Sequence, residues 1–202
     1  MKTNRTEKLK EIRDEVFKLK TSPLYSFRKE NNYYPVIGEG SHFAKIIAIG
    51  EAPGLNEAKT GKPFCGASGK VLDELFNSID LERSDVYVTN IVKDRPPSNR
   101  DPSIEEIKLY TPFLRRQIEI IQPIVLVSLG RFAMHFLLDH FLINLEKPSI
   151  SKIHGQIFEA DADYGKIKIL PLFHPAVAVY NRNRLPELKQ DFQILKKIIE
   201  ES

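Results

Sequence analysis

KIIAIGEAPG, residues 45–54, decides the fold. Ile46, Ile47, Ala48 and Ile49 form an unbroken apolar run with no polar alternation, and Gly50 ends it. Such a run fits a strand buried on both faces, which requires helices above and below it. Two further stretches read the same way: 86–90 (VYVTN) and 124–129 (IVLVSL), the latter closed by Gly130. Helical patterns lie between them. One spans 68–79, and another starts at Ser103, with Glu105 and Glu106 in its first turn, and reaches 121. Gly130 opens a further helix, 156–160 and 166–171 read as a pair of strands, and Pro186 in a first helical turn begins the last helix. At the N-terminal end, 3–20 is an amphipathic helix carrying Leu9, Ile12, Val16 and Leu19, and 21–41 is loop-like. Strands alternating with helices predict an α/β protein with a parallel sheet covered on both faces.

The totals bound the function. At 202 residues one domain, 1–202, is expected, with an N-terminal helix over 1–20 and a core over 45–200. Hydrophobic residues make up 42 %, enough for a core, and the net charge of +3 permits nucleic-acid binding without demanding it. The single cysteine, Cys65, excludes a disulfide framework and any all-cysteine metal site within one chain, and fits a reducing, cytoplasmic setting. The charged N-terminal stretch has no apolar segment of a secretory signal, and no run of about 18 apolar residues predicts a membrane span. His42, His135 and His140 lack metal-ligand spacing, so no metal is expected. Gly61-Lys62 is not a phosphate loop, because Asn56 and Pro63 stand where glycine and a hydroxyl residue belong.

Ligands of parallel sheets bind outside the carboxyl ends of the strands. The unusual polar clusters of this chain fall there: Glu51-Ala52-Pro53-Gly54 after the first strand, Thr89-Asn90 ending the second, Phe173-His174-Pro175 after the last. Taken singly, Glu51 reads as a solvated loop carboxylate, Asn90 as a turn former and Phe64 as a core residue. The placement of Glu51 and Asn90 at strand ends is what singles those two out.

Taken together, GEAPGLNEAKTGKPFCGASGKVLDEL, VYVTNIVKDRPPSNRDP, IQPIVLVSLG, ISKIHG and LPLFHPA occur in the order and at the spacings of one family. Over about residues 20–200 the chain resembles the family 4 uracil-DNA glycosylases. The resemblance implies a three-layer α/β/α fold with a central, mainly parallel four-stranded sheet. It implies hydrolysis of the N-glycosidic bond of uracil in DNA, single- or double-stranded, by a monomer. Such an enzyme takes the base out of the stack into a pocket. By the resemblance Phe64 stacks on the uracil, Asn90 reads its Watson–Crick edge through an amide locked by its neighbours, Glu57 blocks the space of a thymine methyl, and Ala52 stands where better-known relatives carry an aspartate base. His174 donates to O2 as charge gathers there, Glu51 positions water or stabilises the cation-like sugar, and Asn99 in the loop PPSNR supports catalysis or phosphate positioning. Arg95, Arg100, Lys152, Arg182 and Arg184 lie in loops beside the motifs and are expected at the DNA backbone. Val177, Val179 and Tyr180 are candidates for a wedge inserted into the base stack. No lysine stands at a Schiff-base position, so no lyase activity is expected.

The chain departs from its family at one conspicuous place. Typical members hold a [4Fe–4S] cluster on four cysteine thiolates. The matching positions here carry Leu24, Phe27, Asp94 and Tyr110, so no cofactor is expected, and Leu24, Phe27 and Tyr110 are expected to pack instead as a small apolar plug. His154 replaces a usual arginine. An alternative reading is a non-catalytic or covalently trapping uracil-DNA binder, and the trapping form would use a histidine in an inserted basic loop. The loop here, RPPSNRDP, has Asn99, no histidine and no insertion. A weaker third reading, an enzyme of free nucleosides, would need neither wedge nor basic rim.

Overall fold

The computed structural model describes residues 4–146 and 148–201. In chain order the elements are α1 (Asn4–Phe17), α2 (Tyr25–Glu30), β1 (Glu39–Gly40), β2 (Ile46–Gly50), α3 (Leu55–Thr60), α4 (Ala67–Asn77), β3 (Val86–Asn90), α5 (Ile104–Ile121), β4 (Val125–Leu129), α6 (Arg131–His140), α7 (Ile150–Ile153), β5 (Phe158–Ala162), β6 (Gly165–Leu172), α8 (Ala176–Tyr180) and α9 (Leu185–Glu200). The helix start expected at Thr3 lies outside the described residues.

The strands form one sheet in the order β1-β3-β2-β4-β6-β5. Its four central strands run parallel, as expected, and the sheet is wider than the expectation by two antiparallel edge strands: β1 on β3 and β5 on β6. β5 joins through the hairpin turn at Asp163, and β1 is two residues long, too short to show any periodicity in sequence.

Alternation along the strands builds two cores. Ile46, Ala48, Val86, Val88, Val125 and Val127 face α4, α8 and α9, where Leu72, Leu75, Ala178, Phe192 and Leu195 cover them. The intervening residues Ile47, Ile49, Tyr87 and Leu126 face α1, α5 and α6, against Ile12, Val16, Leu114, Ile118 and Leu137. The result is three layers, α/β/α. The longest of the helices, α5, starts with a capping box in which Ser103 accepts from Glu106 N and the Glu106 carboxylate accepts from Ser103 N.

The apolar plug is not what forms. Leu24 and Tyr110 are buried, but Phe27 is half-buried and meets Tyr33 edge-on at 5.9 Å. The reason is Asp94, a carboxylate 1 % exposed that cannot be left among hydrocarbon. Arg28 reaches it with Nη1 at 3.1 Å, and the Tyr110 hydroxyl donates to Oδ2 at 2.6 Å while standing 2.7 Å from Ser22 Oγ. A polar network fills the place.

Candidate active site

The carboxyl ends of the parallel strands meet where the chain, having laid β3 on one side of β2, places β4 on the other. A cavity of about 180 Å³ opens there, lined by Ala52, Gly54, Glu57, Phe64, Ser68, Asn90, Asn99 and His174. Sites for drug-sized ligands hold roughly 300–1,000 Å³, so this one suits a single flat ring. Six of the seven catalytic and base-contacting residues expected from sequence thus line one pocket. The seventh, Glu51, stands at the end of β2 next to Ala52 but is not among the lining residues. Gly54 and Ser68 are additions. Each lies inside a motif already singled out, yet neither carries a signal of its own.

Two glycines make the convergence possible. A β-carbon on Gly50 would stand 2.4 Å from Asn90 Oδ1 and 2.6 Å from Phe64 Cζ, so the amide and the ring edge close over bare backbone. Gly130 takes φ +93°, and a β-carbon there would stand 3.1 Å from His174 Cβ. Phe64 itself adopts φ 48°, an uncommon conformation for an aromatic residue. Arg83 pins the turn that imposes it, donating to Pro63 O at 2.6 Å and to Asp73 at 2.7 Å.

Electrostatics then assign protons. His174 stacks near Phe64, with ring centroids 5.5 Å apart. Burial pushes its imidazole down to about 4, with Glu57 pulling in the opposite direction, so the ring is neutral at pH 7. Ala176 N donates to His174 Nδ1 at 3.1 Å, which places the ring proton on Nε2. Glu57 is fixed in turn: Oε1 accepts from Cys65 N at 2.9 Å and Gly66 N at 2.8 Å. Asn99, at φ 53°, accepts from Arg95 Nε at 2.7 Å, leaving its NH₂ group available to the pocket. Glu51 is pushed up to about 7, first by burial and then by Asp101, against the lowering effect of Arg131. Among the described residues no protein group hydrogen-bonds the Asn90 amide. The expected lock of that amide by its neighbours is therefore absent as a hydrogen bond; what holds it is packing at Gly50 and Phe64.

The five basic residues do not form one free cluster. Arg100 is bidentate to Glu106 at 2.9 and 2.6 Å, Arg182 bonds Glu74 at 2.5 Å, and Arg184 pairs with Glu187 over the Phe173 ring. Arg95 is spent on Asn99 and lies over Tyr33. Lys152 is exposed and has no side-chain partner among the described residues. No group of three or more His, Cys, Asp or Glu able to hold a metal ion occurs among the described residues, and none of their helices is long and apolar enough to cross a membrane.

The family model described as "Uracil DNA glycosylase superfamily" matches residues 37–198. Several relatives carry the name Type-4 uracil-DNA glycosylase. That of Saccharolobus solfataricus is 43 % identical over 93 % of this chain and 85 % of its own length. That of Archaeoglobus fulgidus is 41 % identical over 93 % and 91 %. That of Thermotoga maritima is 39 % identical over 92 % and 90 %.

Proposed function

Since the chain belongs to the uracil DNA glycosylase superfamily, and within it to the type-4 group, we propose that it removes uracil from DNA by hydrolysing the N-glycosidic bond and leaves an abasic site. The observation that carries the reading is the convergence of Phe64, Asn90, Glu57 and a neutral His174 on one ring-sized pocket.

A uracil turned out of the stack lies against Phe64, with its edge toward the Asn90 amide, which offers an acceptor for N3–H and a donor for O4. Cytosine presents the reverse pattern, and a mismatched buried pair discriminates by several powers of ten. Glu57, held by two backbone amides, closes the side where thymine carries its methyl. As the C1′–N1 bond breaks, its electron pair moves into the uracil ring toward O2. There His174 Nε2–H donates in a dry pocket, where one well-placed donor contributes about 3 kcal/mol. A neutral donor suits this step, because it stabilises the anion without handing over its proton. Water adds to C1′ on the opposite face, oriented by the Glu51 carboxylate in its ionised form, which takes up the proton the water loses and passes it to solvent, while the uracil anion takes a proton from solvent on release. The Asn99 amide supplies a further donor to substrate or water.

At the DNA backbone Lys152, the exposed Arg182 and the half-buried Arg184 serve phosphates. Exposed ion pairs contribute only about 0–1 kcal/mol, so a phosphate displaces Glu74 or Glu187 readily. Arg100, committed to the α5 cap, and Arg95, committed to Asn99, act by shaping the loop. Of the wedge candidates, Val177 packs on the core, Val179 is 42 % exposed and Tyr180 90 % exposed. We assign the wedge to Tyr180.

A [4Fe–4S] cluster, general among relatives by the resemblance, does not fit this chain. It needs four thiolates, and the one cysteine, Cys65, is exposed beside Phe64, while Asp94 and Tyr110 are engaged by Arg28 and by each other. No step of the reaction runs through it.

The test is a labelled uracil-containing oligonucleotide incubated with the protein and then with alkali. Strand cleavage at the uracil is the expected result, and an uncleaved strand overturns the reading. His174→Ala and Asn90→Ala are each expected to lose at least about tenfold in rate, equal to about 1.4 kcal/mol of barrier.

A further inference from the structure

Three consecutive residues after β3 point three ways. Lys93 is fully buried, and its Nζ donates to Thr89 Oγ1 at 2.8 Å, Asn90 O at 2.7 Å and Gln117 Oε1 at 2.6 Å. Asp94 accepts from both Arg28 and Tyr110. Arg95 holds Asn99 and lies over Tyr33, its guanidinium 5.6 Å from the ring. The two asparagines that line the pocket are thus both tied to this tripeptide, Asn90 through its backbone carbonyl and Asn99 through its side-chain amide.

Asp94 joins the tripeptide to the N-terminal segment. Its partner Arg28 is 4 % exposed and also binds the end of α1, with Nη1 bonding Val16 O at 3.2 Å and Nη2 bonding Phe17 O at 2.8 Å. One guanidinium therefore fixes α1, α2 and Asp94 relative to each other, and Tyr110 adds α5 through Ser22 and Asp94. A buried ion pair contributes little net stability, since well-packed apolar groups do as well. What directional bonds add is orientation. Orientation matters next door, where Ser98 and Asn99 take φ 55° and 53°, left-handed conformations that persist only when their surroundings over-determine them. Asp94 and Tyr110 also occupy two of the positions where the resemblance puts cluster thiolates.

We propose that the buried Arg28–Asp94 pair is a positioning element of the active site: it sets the direction of Arg95 and, through Arg95, the Asn99 amide that lines the pocket. This rests on the glycosylase reading for its effect on turnover, but not for its effect on the loop.

The experiment uses the full chain with Arg28→Met and Asp94→Leu combined, which removes both charges and leaves neither stranded. Two readouts are taken. The first is amide hydrogen exchange at Asn99 and Arg100, whose N–H groups bond Pro96 O and Pro97 O. It is expected to accelerate at least about tenfold while Ile47, Ile49 and Leu126 keep wild-type protection. The second is uracil excision, where kcat is expected to fall at least about tenfold with KM changed less than about threefold. Asn99→Ala in the same background should add no further loss. Wild-type exchange at Asn99 and Arg100 in the folded double variant overturns the proposal. If that variant does not unfold cooperatively, Arg28→Lys decides: it keeps the charge but not the guanidinium fork, so intermediate exchange supports the clamp and wild-type exchange refutes it. A wild-type protein inactive on uracil overturns the glycosylase reading instead, and the exchange data still decide the clamp.

Discussion

Glu51 shows how one carboxyl group couples activity to stability. Its folded value of about 7 lies above the usual 4.5, because burial at the end of β2 and the nearby Asp101 disfavour the charge. If the ionised form orients water, excision rises with pH with a midpoint near 7, and Glu51→Gln flattens that limb while lowering the plateau. Stability runs the other way. A raised folded value favours the fold fully below about 4.5, and that contribution is lost as pH rises to 7. Glu51→Gln should therefore melt at a higher temperature than wild type at pH 8 and close to wild type at pH 4, as scanning calorimetry would read. A wild-type pH profile in Glu51→Gln would remove the residue from the mechanism. Much at this scale was legible in the sequence. Asn90 and His174 stood out because strand-end motifs and a family pattern agreed, and Phe64 by the family pattern alone. Arg28 did not, since its partner Asp94 lies 66 residues away and no local pattern announces a pairing. The fixing of Glu57 by Cys65 N and Gly66 N was equally silent, because backbone amides have no sequence signature.

At the scale of elements, the end of β3 hangs on Lys93. Burial drives its ammonium well below the usual lysine range, and among the described residues it has no carboxylate partner. Lys93→Met would leave Gln117 Oε1 and Asn90 O without their donor, at a cost of roughly 1–3 kcal/mol per stranded group. Urea unfolding with an unchanged slope and a lowered midpoint is the expected outcome. α8 carries the other prediction of this scale. Tyr180→Ala should slow excision from duplex DNA at least about threefold more than excision from single strands, because only the duplex must be unstacked. Equal losses on both substrates would reassign the wedge. α5 was readable because helical periodicity accumulates over its 18 residues and a cap marks its start, and β2 to β4 because each is a short apolar-rich run between helical patterns. α2 and α3 are six residues each, fewer than two turns, and lie inside stretches punctuated by Pro and Gly. Tertiary packing, not local pattern, stabilises helices that short.

For the molecule as a whole, the parity of side chains on a sheet covered on both sides assigned the two cores, and the crossover beside β2 located the pocket. The sign and density of surface charge were poorer guides. Loop position put Arg182 and Arg184 at the DNA backbone, yet Arg182 leans on Glu74, which Lys189 also bonds at 2.9 Å, and Arg184 leans on Glu187. DNA ordinarily sheds about 0.9 cation per phosphate that a duplex binder neutralises. An arginine that lets go of a glutamate to reach a phosphate leaves behind an anion that recruits a sodium ion of its own. Net cation release is then smaller than the number of contacts suggests, and the plot of log affinity against log salt should be shallow. Glu187→Gln should steepen it by close to one unit and strengthen binding at low salt. A chain with so modest a charge excess thereby keeps its grip on DNA comparatively indifferent to ionic strength.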